Sequence, residues 1–481
     1  MNLRVISKNI GLALLVDSGF MFVSALVSAL YGFDASFSPL LLSGFLTLIV
    51  GILPIVFVGR GQNRITTREG FVILFFAWFL SCAFGLIPYA LYGGEFSLEN
   101  AWFESTSGFT ATGATILQDI EALPHGLLFW RSSTHFIGGL GVVVFMLMIL
   151  PSSGTVKLKM RRIEVADISA GEYNFRSNKI VKVVFTVYVS VMILCILFFW
   201  IAGMGIFDAV THSFGVVSTG GFSPRNTSIG AFDSRWIELI AMVFMIICSL
   251  HFGLIYSSIV GRNFNVLRNP ITRFYLGTLG VGIVLMTASL LFAGTYTNPL
   301  EALWQSAFNV ISIGTSTGMS TVDTSVWPSF SILILLFMSF QCGCSGSTTG
   351  GVKADRIWAL ERAIRAQVVR TIHPNAVIKV KSGSNVVDSE MINSIAMFTL
   401  LYIAILFLCA VIYAGCGMNL EDAFTGSTAM IGNVGPGFGS IGSMSNYSAV
   451  PVVAKIIMGL EMIVGRLGLY SAFIVFAIKK R

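Results

Sequence analysis

Long apolar runs alternate with short polar or glycine-rich interruptions from one end of the chain to the other. Runs such as 183–203 and 396–418 pass the threshold of about 18 residues at which a helix crosses a hydrocarbon core about 30 Å thick. The pattern predicts two leading helices, near 8–31 and 38–58, and then four similar blocks. Each block has an apolar helix, a short amphiphilic segment, a Gly/Thr/Ser-rich stretch and a second apolar helix. In the first block these fall near 70–92, 100–110, 110–116 and 126–150, and in the second near 180–203, 207–217, 217–226 and 235–260. In the third they fall near 273–295, 300–315, 315–322 and 328–370, the last one interrupted, and in the fourth near 392–416, 421–432, 432–442 and 451–478. Segments of about ten residues are too short to span, so at membrane depth they read as re-entrant half-helices. Irregular backbone is tolerated there only where protein buries it or it lines a wet cavity.

The interruptions repeat one another. The glycine-rich stretches read TATGAT (110–115), VSTGGF (217–222), TSTGMS (315–320) and GNVGPG (432–437). The segments before them, ENAWFESTSGF, FDAVTHSFGV, EALWQSAFNV and EDAFTGSTAM, also match, and three of the four carry an acidic residue directly before an alanine. An acid in the first turn suits a helix N-terminus. Four such units around one axis make a pore. The predicted fold is an all-α polytopic membrane protein, with four tandem helix–loop–helix units in pseudo-fourfold arrangement and two extra N-terminal helices. The expected units are 1–69 for the leading helices, then 70–175, 176–272, 273–390 and 391–481 for the four repeats.

Composition agrees: 55% of residues are hydrophobic and 11% charged, against about 25% charged in a soluble domain. No A-x-A-like cleavage site follows the first apolar run, which therefore reads as an anchor. Of 30 Lys and Arg, only Arg131, Arg225, Arg235, Lys455 and Arg466 lie outside the termini and the segments 59–69, 157–182, 262–273 and 353–381. That asymmetry is the positive-inside pattern, and it places both termini in the cytoplasm and the glycine-rich stretches at the outer side. The basic balance then needs no nucleic acid to explain it. Most of the seven cysteines sit inside apolar runs as small buried side chains. The C-x-C of Cys342 and Cys344 is a weak metal signal with no His or second Cys pair nearby. The five histidines share no ligand spacing, and no nucleophile elbow is present.

The chemistry allowed is that of a cation pathway. A dehydrated monovalent cation needs a ring of oxygens in place of its water, and re-entrant loops supply carbonyl rings of that kind. Glycine reaches the unusual dihedrals such loops need. The candidate filter residues are Ala111, Thr112 and Gly113; Ser218, Thr219 and Gly220; Ser316, Thr317 and Gly318; and Asn433, Val434 and Gly435. The third block's second helix is broken by QCGCSGSTTGGVK (341–353), through which helix is costly. Gly346, Ser347, Thr348, Thr349, Gly350 and Gly351 read as a flexible intramembrane loop and candidate gate, with a static kink as the bland alternative. Lys455, Glu461 and Arg466 are charges in an apolar context, where charges tend to mark ion pathways. Arg466 either meets the broken loop's carbonyls or forms an ion pair with Glu461 or Glu238.

These residues resemble the Trk/Ktr/HKT superfamily of potassium transporters, most closely its bacterial Trk-type membrane subunits. The resemblance covers nearly the whole chain and rests on the four filter stretches, on GSTTGGVKADR (346–356) and on VGRLGLY (464–470). It implies four M1–P–M2 units, potassium held at the filter residues with glycine rather than serine at 113, and a gate made by the 345–351 loop and Arg466. It also implies a homodimer in a bacterial inner membrane and a cytosolic nucleotide-binding regulatory ring of the RCK/KTN type. Any nucleotide would sit on that partner, with no covalent cofactor on this chain. Many relatives carry an acid two residues after the arginine, where this chain has Gly468. A proton- or sodium-coupled transporter of an organic solute is the alternative reading. It predicts inverted halves and acids in the path, whereas the four blocks run parallel and their filter stretches carry no acid.

Overall fold

The computed structural model describes residues 2–58, 66–149, 177–373 and 380–469, apart from 383, 384 and 388. The basic stretch 157–176 and the end of the last predicted helix, beyond 469, lie outside the described residues. Among the described residues, six helices are long and apolar enough to cross a membrane: Leu3–Leu30, Phe37–Phe57, Arg68–Tyr92, Lys182–Ile201, Pro270–Phe292 and Ser389–Gly415. Strand is confined, among the described residues, to a two-residue pairing of Lys381–Ser382 with Asn385–Val386.

Helix Leu3–Leu30 and helix Phe37–Phe57 form a hairpin that lies against the first repeat. They approach closely because their crossing carries glycine on both sides. A Cβ on Gly11 would sit 2.5 Å from the Gly51 carbonyl oxygen. Small residues at such crossings are how helices associate in lipid, where apolar contact alone gives little preference.

Four short helices interrupt the spans: Leu98–Phe109, Ile206–Val217, Pro299–Gly314 and Leu420–Gly432. Each begins with acid in its first turn (Glu99; Asp208; Glu301; Glu421 and Asp422). Their interiors are buried to an extent unusual for polar sequence, Glu104 to Ser107 being fully covered. The helices that cover them come from neighbouring repeats. The first repeat's second helix, His125–Ile149, packs on the second short helix, and Arg235–Ser249 packs on the third. Ser329–Gln341 then packs on the fourth, and Val452–Leu467 returns to the first. This cyclic order closes four units around one axis.

Two departures from the sequence-based expectation concern second helices. The stretch 235–260 is not one helix: it breaks between Ser249 and Phe252 and turns by 99°. Helix Val452–Leu467 is interrupted at Gly468, which has φ +81°, and the expected remainder beyond 469 lies outside the described residues.

Candidate ion pathway

All four short helices end in the same way. At each end one residue takes a left-handed conformation: Ala111 (φ 50°), Thr219 (55°), Ser316 (52°) and Asn433 (50°). The next amide donates to a carbonyl five residues back: Thr112 to Ser107 (2.9 Å), Gly220 to Gly215 (2.8 Å), Thr317 to Ser312 (2.9 Å) and Val434 to Ala429 (3.0 Å). This is the Schellman termination, here with a non-glycine residue in the left-handed seat. One residue further on, the chain is again left-handed, at Gly113 (87°), Gly221 (85°), Gly318 (72°) and Gly435 (100°).

The register in the second repeat is therefore one residue later than the sequence suggests. Matching the Thr-Gly pairs selects Gly220, but the helix-terminating bond makes Gly221 the partner of Gly113, Gly318 and Gly435. Ser218 then belongs to the helix cap, its hydroxyl donating to the Phe214 carbonyl at 2.6 Å. The structural set there is Thr219, Gly220 and Gly221. Two consecutive glycines hide the choice in the sequence, and only the helix end resolves it.

The four loops touch one another backbone to backbone. A Cβ built on Gly113 would lie 2.1 Å from the Gly220 carbonyl oxygen, and one on Gly221 would lie 2.0 Å from that of Thr317. One on Gly318 would lie 2.0 Å from the Val434 oxygen, and one on Gly435 would lie 2.5 Å from that of Thr112. The sequence of contacts runs 1 to 2, 2 to 3, 3 to 4 and 4 to 1, a closed ring. No Cβ fits at these four glycines, so the loops meet there through backbone carbonyls. The short helices' C-terminal ends, each carrying roughly half a negative charge, converge on the same ring.

Side chains brace the ring from behind. Glu104, on the first short helix, accepts from the Ile116 amide and the Thr115 hydroxyl, both at 3.0 Å. It pairs with Arg131 at 2.6 Å, both buried. Arg131 also donates to the Ser223 carbonyl (2.8 Å) and lies 3.5 Å over the Phe222 ring. The pair thus ties the rising strand of the first loop to that of the second. His135 does the same one turn deeper: its Nδ1 meets the Gly108 carbonyl at 2.8 Å and its Nε2 accepts from the Phe222 amide at 3.0 Å. In the sequence Arg131 was visible only as a charge off the positive-inside pattern, and Glu104 and His135 carried no signal.

The broken helix of the third repeat supplies residues 342–353 below the ring, between Ser329–Gln341 and Ala354–Ile372. This segment is docked at many points and is not loose in the conformation described. The Cys344 amide donates to the Ser249 carbonyl (2.9 Å), and the Phe252 amide to the Gly346 carbonyl (3.1 Å). The Thr348 hydroxyl reaches the Val217 and Cys248 carbonyls at 3.2 and 3.3 Å. The Gly350 amide donates to the Ser316 hydroxyl at 2.9 Å. A Cβ on Gly350 would sit 2.0 Å from the Gly432 carbonyl oxygen. Ser347 and Thr349 share a hydroxyl contact at 2.8 Å, and the Lys353 ammonium donates to the Thr349 carbonyl. The break at 249–252 now has its reason: the freed carbonyls of Cys248 and Ser249 accept from this segment.

Arg466 donates to the Thr348 carbonyl at 2.6 Å and to the Gly138 carbonyl at 3.2 Å. It forms no ion pair with Glu461, which bonds to Tyr413 and Ser427, nor with Glu238, which bonds to Arg235 and Trp304. Among the described residues no cluster of His, Cys, Asp and Glu has the makings of a metal site, the Cys342–Cys344 pair included.

The family model for TrkH, described as a cation transport protein, matches residues 40–481. The chain belongs to the TrkH family. Relatives include the Trk system potassium uptake protein TrkH of Escherichia coli K12, 31% identical over 99% of each chain. Another is the TrkH of Halomonas elongata, 33% identical over 99% of this chain and 98% of the other. The crystal structure of the potassium transporter TrkH from Vibrio parahaemolyticus superposes with a TM-score of 0.89 at 30% identity, covering 100% of this chain and 99% of that one. The family is one of transporters, and the ring of four loops is the feature of this TrkH-family chain on which a transport reading rests.

Proposed function

We propose that this chain takes up potassium across the bacterial cytoplasmic membrane, with both termini inside, through the ring formed by residues 111–113, 219–221, 316–318 and 433–435. The closed backbone ring carries the reading. It brings backbone carbonyls together from four directions with no room for a Cβ at its four glycines, the kind of environment that replaces the hydration shell of a monovalent cation. The segment 346–351 and Arg466 form the gate. Arg466 sets a fixed cation beneath the ring, where it repels the permeating ion. The chain works as a homodimer. A cytosolic nucleotide-binding ring docks on its basic face and holds the nucleotide itself. The names of the relatives and the parallel repeats favour this over a coupled carrier of organic solutes.

The test is radiotracer rubidium uptake into liposomes holding the purified protein, with and without the regulatory partner. Uptake suppressed by potassium and barely by sodium is the expected result. Absence of uptake in both preparations, or equal suppression by both ions, would overturn the reading.

A further inference from the structure

The fourth repeat encloses a carboxyl group that has no cation partner among the described residues. Glu461 is buried within helix Val452–Leu467. The Tyr413 hydroxyl lies 2.5 Å from one carboxyl oxygen, and the Ser427 hydroxyl 2.6 Å from the other. Ser427 Oγ is also 2.9 Å from the Leu406 carbonyl oxygen, in a different helix. Among the described residues no Lys, Arg or His lies within ion-pair distance of Glu461. The cations on its own helix are engaged elsewhere: Lys455 with Asn100 and the Ser448 carbonyl, Arg466 with carbonyls below the ring.

Counting protons decides the state of this group. Three oxygen–oxygen contacts within hydrogen-bond distance need three protons, and the two hydroxyls bring one each. A carboxylate brings none, so Ser427 would have to divide its single proton between Glu461 and the Leu406 carbonyl. A carboxylic acid completes the chain. Tyr413 donates to one oxygen, the acid proton goes to Ser427 Oγ, and Ser427 donates to the Leu406 carbonyl.

We propose that Glu461 is a membrane-embedded proton-binding site, whose bound proton lets Ser427 clasp Leu406 and so fastens the fourth short helix to the first helix of its repeat. The titratable groups that face it are Cys409, Tyr413 and Tyr402 on helix Ser389–Gly415 and Tyr447 in the outer loop. Asp422 lies at the far end of the short helix, beside Ser440. None of these is a cation, so among the described residues nothing at the site compensates loss of the proton. The unfolded chain has no such need to hold it, and the folded state therefore loses ground as pH rises.

The experiment is infrared difference spectroscopy on the full chain in liposomes, wild type minus Glu461→Gln, at neutral pH in H2O and D2O. The carbonyl stretch of a protonated carboxylic acid, shifting in D2O and lost in Glu461→Gln, is expected. Carboxylate bands alone would overturn the proposal. The glutamine amide keeps a neutral donor toward Ser427, so thermal unfolding of wild type should fall in Tm toward alkaline pH while that of Glu461→Gln stays flat. Parallel profiles would also overturn it. Should Glu461→Gln not fold, Ser427→Ala removes the acceptor and must shift the acid band, and an unmoved or absent band rejects the assignment.

Discussion

Gly113→Ser is the substitution that most directly tests the ring. The residue has φ +87°, which costs an L side chain about 1–2 kcal/mol by itself. Its Cβ would also stand 2.1 Å from the Gly220 carbonyl oxygen, where real Cβ atoms keep at least 3.0 Å. One loop must therefore retreat by about 1 Å in a region packed to crystal density. The oxygen that retreats is one of the four the ring presents, so the cost falls on the bound ion and less on the fold. If the 1–2 kcal/mol is lost from discrimination between potassium and sodium, the selectivity ratio falls roughly 5- to 30-fold, at 1.4 kcal/mol per factor of ten. Rubidium uptake into liposomes under graded potassium and sodium competition measures that ratio directly. Gly221→Ala should behave likewise, since its Cβ meets the Thr317 oxygen at 2.0 Å. A well-folded Gly113→Ser protein with an unchanged ratio would refute the claim that this glycine lines the pathway.

Three further outcomes follow from the contacts. Arg466→Ala removes a charge-assisted hydrogen bond to Thr348, worth about 1.5–3 kcal/mol. Uptake without the regulatory partner should then rise roughly 10- to 100-fold, and ordinary or lower uptake by a folded variant would reject the gate. Gly350→Ala drives a Cβ to 2.0 Å from the Gly432 oxygen, so the segment cannot seat, and the partner-free leak in the same assay should increase. Glu104→Ala leaves Arg131 buried without its carboxylate, which costs about 3–5 kcal/mol and should show as a lowered Tm in detergent. A Tm unchanged from wild type would mean the pair is not needed to brace the first two loops.

The short helices were legible because their ends are written locally. Acid in the first turn and glycine after the last place all four within about two residues of where they lie. The register of the second loop was not legible, because Gly220 and Gly221 are both glycine and only the bond from Gly220 to the Gly215 carbonyl distinguishes them. The break at 249–252 was missed for another reason. No proline stands there, and the helix gives way because its freed carbonyls find donors a hundred residues away in Cys344 and Thr348. The same holds for Glu104 and Arg131, which are 27 residues apart. A polar residue at a packed seat in the membrane advertises itself only if the sequence also shows its partner.

Opening the proposed gate means breaking a defined set of bonds. Five links hold the segment to other parts of the chain: Arg466 to Thr348, the Thr348 hydroxyl to Val217 or Cys248, Gly350 to Ser316, Cys344 to Ser249, and Phe252 to Gly346. At about 1 kcal/mol net for each neutral link and about 1.5–3 kcal/mol for the arginine link they amount to about 5.5–7 kcal/mol. Turning a two-state equilibrium from 1:99 to 99:1 takes about 5.5 kcal/mol. Links of that size hold the closed form well beyond 99:1, so a docking partner must prefer the open form by about 8–10 kcal/mol to switch the chain completely, while no single link is strong enough to lock it. Two of the five begin or end on the break in the second repeat, and a third can. A regulator acting through the helix that ends at Ser249 would thus reach the gate without touching it.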